Sequence, residues 1–251
     1  MKTKPLVSII ITYYKKKSFI KKTLNSLLNQ NYRNYEVVFV YDDENLEDLS
    51  SVKIFLKKFK KKKLIINKKN QGVAKSRNIA IKHSKGDYLA FIDADDKWKK
   101  NKLKLQINFM IKFQSDFSFT SYGVINKYGR LIRLREVNYD PNYEKLSKSN
   151  IIGLSTVMIH KKLRNKIKFP NLKTQEDFAL WLSLLRQGIK LNHFHKILSY
   201  WRQTDNSLSS NTIDKLLDAF KLFYQYEKKN LLSALISVFI ISYKKVIKDI
   251  L

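Results

Sequence analysis

Residues 86–98 read GDYLAFIDADDKW, from Gly86 to Trp98. Tyr88 to Ile92 is a short apolar run bounded by a Gly-Asp start and a charged end, the pattern of a buried strand. Asp93, Asp95 and Asp96 follow directly at its C-terminal tip. In an open α/β sheet, ligands bind in the crevice beyond the carboxyl ends of the strands. Three carboxylates packed there repel one another unless a cation compensates, and clustered oxygen donors suit Mg²⁺ or Mn²⁺. The other reading of the same residues is a solvated strand end, with Asp95 or Asp96 capping the following helix.

The surrounding composition bounds the answer. A chain of 251 residues fits one large α/β domain or a domain with an appendage. With 44% hydrophobic residues and 13% aromatics, it can bury a sizeable core and is not a disordered binder. The absence of cysteine excludes a disulfide scaffold and any Cys-based metal site or nucleophile. The start, MKTKPLVSIIITYY, lacks a small-residue cleavage site and reads as a strand rather than a signal peptide. A formal charge of +29 comes largely from lysine, in runs such as Lys15 to Lys17 and Lys57 to Lys63; lysine, isoleucine and asparagine are also the residues an AT-rich genome would over-encode, which would account for part of it. The rest points to an anionic membrane surface or phosphate-bearing substrates. Nucleic acid is not expected, because arginine is scarce and no base-reading motif is present.

The first half alternates strand and helix patterns: strand Leu6 to Thr12, helix Phe19 to Asn29, strand Tyr35 to Tyr41, helix Leu46 to Phe59, strand Lys63 to Asn67, helix Ala74 to His83 opened by Gly72, and the strand ending at Asp93. That order predicts a parallel sheet covered on both faces. In the second half, Lys102 to Phe113 reads as helix and Phe117 to Val124 and Leu131 to Val137 as strands about a turn. Ile151 to Ile159 reads as a further strand, and Glu176 to Gln187 as a helix stopped by Gly188. Ile213 to Tyr226 and Leu231 to Ile250 read as terminal helices. Leu231 to Tyr243 is very apolar but too short to span a bilayer, so it reads as a core or interfacial helix, with Lys244, Lys245 and Lys248 set to meet acidic headgroups.

Three segments, VSIIITYYKKKSFIKKTLNSLLNQNYRNYEVVFVYDD, NQGVAKSRNIAIKHSKGDYLAFIDADD and EDFALWLSLLRQG, strongly resemble the family 2 glycosyltransferases of GT-A fold, in order and spacing, across nearly the whole chain. FSFTSYGVINKYGR, NIIGLSTVMI and WRQTDNSLSSN resemble the subgroup that builds bacterial surface polysaccharides, such as teichuronic-acid or lipopolysaccharide side-chain transferases. The resemblance implies a GT-A-like α/β fold with a mostly parallel central sheet flanked by helices. It divides the chain into a transferase domain, 1–211, with a nucleotide-sugar half (1–115) and an acceptor-side half (116–211), and a helical extension, 212–251. It implies inverting transfer of a sugar from a nucleotide-diphosphate donor, UDP-linked, with Mn²⁺ or Mg²⁺. The acceptor implied is a lipid-linked or cell-envelope glycan at the cytoplasmic membrane face, where the enzyme sits peripherally. A protein-directed or processive transferase, or a non-catalytic basic binder of membrane or nucleic acid, is the alternative.

Carried over residue by residue, the resemblance places Asp93 at the ribose and Asp95 at the metal, with Asp96 beside them. Asp42 is placed at the uracil, with Thr12 and Tyr14 lining the same pocket; a plain turn is the other reading of Asp42-Asp43. Arg77 presents a fork of donors to phosphate, or else salt-bridges Asp87 or Asp93 to hold the fold. Inversion needs a base to take the acceptor proton; the resemblance gives that role to Asp177, with Glu176 on the acceptor side either binding substrate or raising the pKa of Asp177, against a reading as ordinary acidic residues of a first helical turn. Trp181 stacks on the acceptor sugar or fills the core. Arg202, in a donor-closing loop from Trp201 to Ser209, is placed at the pyrophosphate. Two departures touch the nucleotide end: Thr12-Tyr13-Tyr14-Lys15 stands for the usual Pro-x-Tyr-Asn, and Asp42-Asp43-Glu44-Asn45 for Asp-Asp-Gly-Ser. The loop after Trp201 also lacks the histidine many relatives carry. His160, His193 and His195 lack metal-type spacing and read as surface or structural.

Overall fold

The computed structural model describes residues 4–204 and 212–250. The first half follows the predicted alternation: β1 (Val7–Tyr13), α1 (Lys17–Leu28), β2 (Tyr35–Tyr41), α2 (Leu49–Leu56), β3 (Lys62–Ile66), α3 (Val73–His83) and β4 (Tyr88–Phe91). Gly72, at φ +83°, supplies the left-handed turn from which α3 starts, a backbone conformation that L side chains rarely adopt. The second half comprises β5 (Lys97–Trp98), α4 (Lys102–Lys112), β6 (Phe117–Ile125), β7 (Leu131–Arg135), α5 (Tyr143–Ser147), β8 (Met158–His160), α6 (Glu176–Arg186), β9 (Asn192–Arg202), α7 (Thr212–Lys221) and α8 (Leu231–Ile250).

One sheet runs through both halves in the order β3-β2-β1-β4-β8-β6-β9-β5, with β7 paired to β6. Strands β3, β2, β1 and β4 are mutually parallel, as is the β6–β9 pair; β8, β5 and β7 pair antiparallel. The sheet is therefore mixed, its parallel character concentrated in the first half.

Strict alternation divides the core. Val7, Ile9, Ile11 and Tyr13 of β1, with Val37, Phe39 and Tyr41 of β2, face a cluster built with Leu24 and Leu27 of α1, Val52 and Phe55 of α2, and Leu103 and Ile107 of α4. Ile10, Val38, Val40, Leu89 and Phe91 face the opposite cluster, with Ala80 of α3, Phe178 and Trp181 of α6, and Leu222, Phe223 and Ala234 from the C-terminal helices. Each such fully buried large aliphatic or aromatic side chain contributes about 1.5–3 kcal/mol. Parallel β1, β2 and β4 end at the same edge, which sets Thr12, Asp42 and Asp93 along one crevice.

Three elements differ from expectation. The apolar run Ile151 to Ile159 is a strand only from Met158; Leu154–Thr156 forms a 3-10 turn, with Thr156 Oγ1 donating to the Gly153 carbonyl at 2.6 Å. Burial alone makes a run apolar, whether or not a ladder partner is available. Strand β9 replaces the loop expected around Trp201-Arg202. Its sequence, NHFHKILSYWR, lacks clean alternation because its pairing with β6 slips register twice. The Ile213–Tyr226 helix is α7 followed by a π-type turn at Leu222–Tyr226. Ser207 to Ser209 of the expected closing loop lie outside the described residues.

Candidate functional site

The turn after β4 is pinned from α1: Thr23 Oγ1 donates to the Ala94 carbonyl at 2.9 Å and to the Asp96 carbonyl at 2.7 Å. Its three carboxylates then take different partners. Asp96 is buried, accepting from Ser155 Oγ at 2.6 Å and from the Arg202 backbone N–H at 2.8 Å. Burial, then repulsion from Asp95 and Asp93, holds its pKa well above the usual carboxylate range. Asp95 pairs with Lys16 at 2.7 Å; burial raises its pKa against the pull of that ammonium. Asp93 is the most open of the three, its side chain 34% exposed.

Ser155 is the hub behind this tip. Its Oγ also accepts from the Asp93 N–H at 3.0 Å, and its carbonyl accepts from Trp98 Nε1 at 2.8 Å. Sequence reasoning missed it, although Ser155-Thr156 is the polar interruption in an otherwise apolar run. Lys16 and Thr23 were missed as well; nothing in their local pattern distinguishes them from other surface and helix residues.

Arg77 connects the tip to a second acidic pair, 99 residues on. Buried on α3, it donates from Nη2 to Asp93 Oδ1 at 2.8 Å and from Nη1 to Glu176 Oε1, with its guanidinium 5.3 Å from the centre of the Phe169 ring. Of its two readings, the salt bridge to Asp93 is what the geometry contains, and Asp87 instead pairs with Lys161. Glu176 and Asp177 open α6, preceded by Gln175 in the left-handed region at φ +61°. Asp177 accepts from the Phe178 N–H at 2.6 Å. Desolvation, then Glu176, pushes its pKa up to about 7, against the opposing pull of Arg77. A carboxylate so tuned exchanges a proton near neutrality.

At the tip of β2, Asp42 is buried and its Oδ1 accepts from Asn67 Nδ2 at 2.6 Å and the Gln71 N–H at 2.8 Å. Asp43 accepts from the backbone of Lys15 and Asn45, which fixes the turn. Thr12 is half-buried and Tyr14 is 36% exposed, both at the tip of β1.

Two expected ligand contacts are corrected. Trp181 is fully buried against Phe117 and Phe169, with ring centroids at 5.1 and 6.3 Å, so it is core and cannot stack on an acceptor. Arg202 lies in β9, buried, with Nε donating to the Asp95 carbonyl at 2.8 Å and Nη1 to the Asn126 and Lys127 carbonyls. It braces the acidic turn. His160 packs edge-on against Tyr88, and His193 is buried against Ser121.

Among the described residues, no three His, Asp or Glu side chains gather as a metal-ligating group. Asp96 is committed to Ser155 and the Arg202 backbone and leaves the expected ligand set. Asp93 and Asp95 still fit a hard cation that takes one or two carboxylates and completes its shell with substrate phosphates. Asp95 is here paired with one cation, the Lys16 ammonium, at 2.7 Å.

Residues 8–172 match the family model described as Glycosyl transferase family 2. The chain is 32% identical over 232 residues, 92% of each chain, to TuaG of Bacillus subtilis, assigned as a teichuronic acid biosynthesis glycosyltransferase. It is 34% identical over 215 residues, 84% of this chain and 82% of the relative, to WfgD of Escherichia coli, named UDP-Glc:alpha-D-GlcNAc-diphosphoundecaprenol beta-1,3-glucosyltransferase. Among solved structures, S. aureus TarS 1–349 in complex with UDP-GlcNAc aligns with TM-score 0.70 and 22% identity over 91% of this chain and 69% of that one; the match to a longer TarS chain covers 38% of it. That degree of likeness establishes the expected GT-A fold.

Removing Arg77 leaves the buried Glu176 and the half-buried Asp93 uncompensated, so Arg77→Ala is expected to cost about 3–5 kcal/mol of stability. Without the guanidinium, the carboxyl pKa of Glu176 in the folded state rises further above its unfolded value. The folded state then binds more protons, and stability falls as pH increases through that window. Urea unfolding should therefore find a larger deficit for Arg77→Ala at pH 8 than at pH 5; an equal deficit at both would contradict this account.

Proposed function

Because the chain belongs to glycosyl transferase family 2, we propose that it moves a sugar, with inversion at the anomeric carbon, from a UDP-sugar to a hydroxyl of a lipid-linked cell-envelope glycan. The observation that carries this reading is the Asp93–Arg77–Glu176 chain, which ties the acidic tip of β4 to the start of α6, where Asp177 follows Glu176. Asp177 takes the proton from the acceptor hydroxyl as that oxygen bonds to the anomeric carbon. The bond from the anomeric carbon to the diphosphate breaks on the opposite face, and the electron pair leaves with the nucleotide. Burial, then Glu176, raises the basicity of Asp177, and Arg77 holds Glu176 and Asp93 in place.

Thr12, Tyr14 and Asp42 line the nucleobase end, and Asp93 meets the ribose. Asp95, with Asp93 beside it, would hold Mn²⁺ or Mg²⁺, which as a Lewis acid stabilises charge on the departing diphosphate. Arg202 serves that end by fixing the Asp95 backbone. The neighbours are consistent with these assignments: mannosyltransferase PcManGT from Pyrobaculum calidifontis, in complex with GDP-Man and Mn²⁺, aligns with TM-score 0.68 and 15% identity over 94% of this chain and 74% of that one. The printed activity of WfgD, on a diphosphoundecaprenol-linked sugar, supports a lipid-linked acceptor.

Such an acceptor resides at a membrane. No helix among the described residues is long and apolar enough to cross one. Helices α7 and α8 instead expose Ile213, Leu217, Leu232, Leu235, Ile236 and Phe239. Lys244, Lys245 and Lys248 follow on α8. Apolar burial plus about 1 kcal/mol per lysine near an anionic surface supports peripheral attachment at the inner face of the cytoplasmic membrane.

Four measurements test this reading. Asp177→Asn should bind UDP-sugar normally and lose roughly 10²–10⁴-fold in turnover. Because the base acts deprotonated, wild-type activity should climb with pH through about 7, a limb set by Asp177 among Glu176, Arg77, Asp93 and Tyr122. Wild-type rates in Asp177→Asn would remove the base role. Asp95→Ala should abolish the Mn²⁺-dependent gain in UDP affinity seen by calorimetry, and an unchanged gain would exclude Asp95 as the cation's ligand. Finally, the chain should co-sediment with phosphatidylglycerol vesicles at low salt, weakly with phosphatidylcholine, and less after Lys244, Lys245 and Lys248 are changed to Glu. Equal binding to both vesicle types would refute electrostatic docking.

A further inference from the structure

Three consecutive residues lead into the acidic pair of α6, and each is held by α7. Lys173 Nζ pairs with Asp214 at 2.6 Å, and Gln175 Nε2 donates to the Lys215 carbonyl at 2.9 Å. Between them, the Thr174 N–H and hydroxyl both donate to Asp218 Oδ2, at 2.7 and 3.0 Å. Asp218 and Thr174 are both buried, and the other Asp218 oxygen stands 3.8 Å from Lys221. Residues 214, 215 and 218 fall on one side of a helix, so this strap is gripped along its length.

We propose that Asp218 is a positioning residue for the transfer reaction, holding the Lys173–Gln175 strap so that the Glu176–Asp177 pair is presented to the cleft at a fixed angle. The inference rests on Asp177 being the base. Asp177 itself has few constraints: its carboxylate accepts only from the neighbouring Phe178 N–H among the hydrogen bonds of the described residues. Its direction therefore follows from where α6 begins. That start is set by Gln175, in the left-handed region at φ +61° without a glycine's freedom, a conformation that persists only where the surroundings enforce it. Arg77 grips Glu176 from the sheet side, and Asp218 grips Thr174 from the C-terminal side.

The test compares four full-length variants for kcat, donor KM and melting. Asp218→Ala, which removes the acceptor of both Thr174 bonds, should lower kcat about 10–100-fold while donor KM stays within about twofold, the scale expected for a misplaced reacting group. Asp218→Asn keeps an oxygen for the same two donors and should restore kcat to within about threefold of wild type. Should Asp218→Ala fail to fold, Thr174→Val, which deletes the hydroxyl bond alone, should still lower kcat severalfold at unchanged donor KM. Asp177→Asn is the control. If it is inactive while Asp218→Ala and Thr174→Val turn over like wild type, the positioning role is overturned and the base assignment survives. If Asp177→Asn is itself fully active, the base assignment fails first. A fall in donor affinity and melting temperature that tracks the fall in kcat, with no rescue by Asp218→Asn, would reduce Asp218 to a general stabilising contact and overturn the proposal.

Discussion

A buried guanidinium between two carboxylates is the constraint on which the site depends. Asp93 ends a strand of the sheet, Glu176 begins a helix of the second half, and Arg77 binds both from a third element. Burial opposes the charge of each group separately. Together they are satisfied: Glu176, Asp93 and Asp177 outweigh the desolvation of Arg77 and keep its pKa above its ordinary value. With Asp177 beside Glu176, three acids face this one cation. Desolvation, then Glu176, pushes the Asp177 carboxyl up to about 7 against the pull of Arg77. The contact that joins the tip of β4 to the start of α6 thus stands next to a carboxyl group that exchanges its proton near neutrality.

The acidic turn divides its charges in a comparable way. Asp93 has Arg77, Asp95 has Lys16, and Asp96 has only a serine hydroxyl and a backbone N–H. Asp96 is the one with no cation in contact and the one whose pKa is driven furthest in the direction of the neutral acid, as burial next to two like charges requires. Its value lies in geometry: Ser155 and the Arg202 backbone converge on it, so the tip of β4, the 154–156 turn and the end of β9 are joined at one carboxyl group. The carboxylates left for ligands are those nearer solvent.

How much of this was legible in the sequence follows from which interactions are local. Strands β1, β2 and β4 declare themselves because they are buried on both faces and read as continuous apolar runs, and their acidic or polar tips fall where parallel strands end. β2 is found where it was predicted, at Tyr35–Tyr41. Strand β9 was hidden, since its slipped pairing with β6 breaks the alternation that marks a strand. Trp181 and Arg202 misled for a different reason: both residue types serve ligands and cores equally well, and only the tertiary surroundings decide. Asp96 sat in the right motif and has the wrong surroundings for a ligand. Ser155 and Asp218 reach partners 59 and 44 residues away, and no local pattern encodes such a distance.

The C-terminal helices show why that distance matters. On α7, Asp214 and Asp218 turn inward to the strap before α6, while Ile213, Leu216 and Leu217 turn outward and are exposed. On α8, Ala234 and Ser237 are buried and Leu232, Leu235, Ile236 and Phe239 are open. Glu227, between the two helices, is anchored by Tyr143 and Arg186, so the pair is fastened to the body of the domain. An apolar surface with basic residues along it suits the interface of an anionic bilayer. A lipid-linked acceptor brings its hydroxyl to a fixed height above such a bilayer, and a base must meet it there. On the proposed reading, one helix would then carry both the membrane-facing surface and the support of the base, and so couple the height of the domain to the position of its proton acceptor.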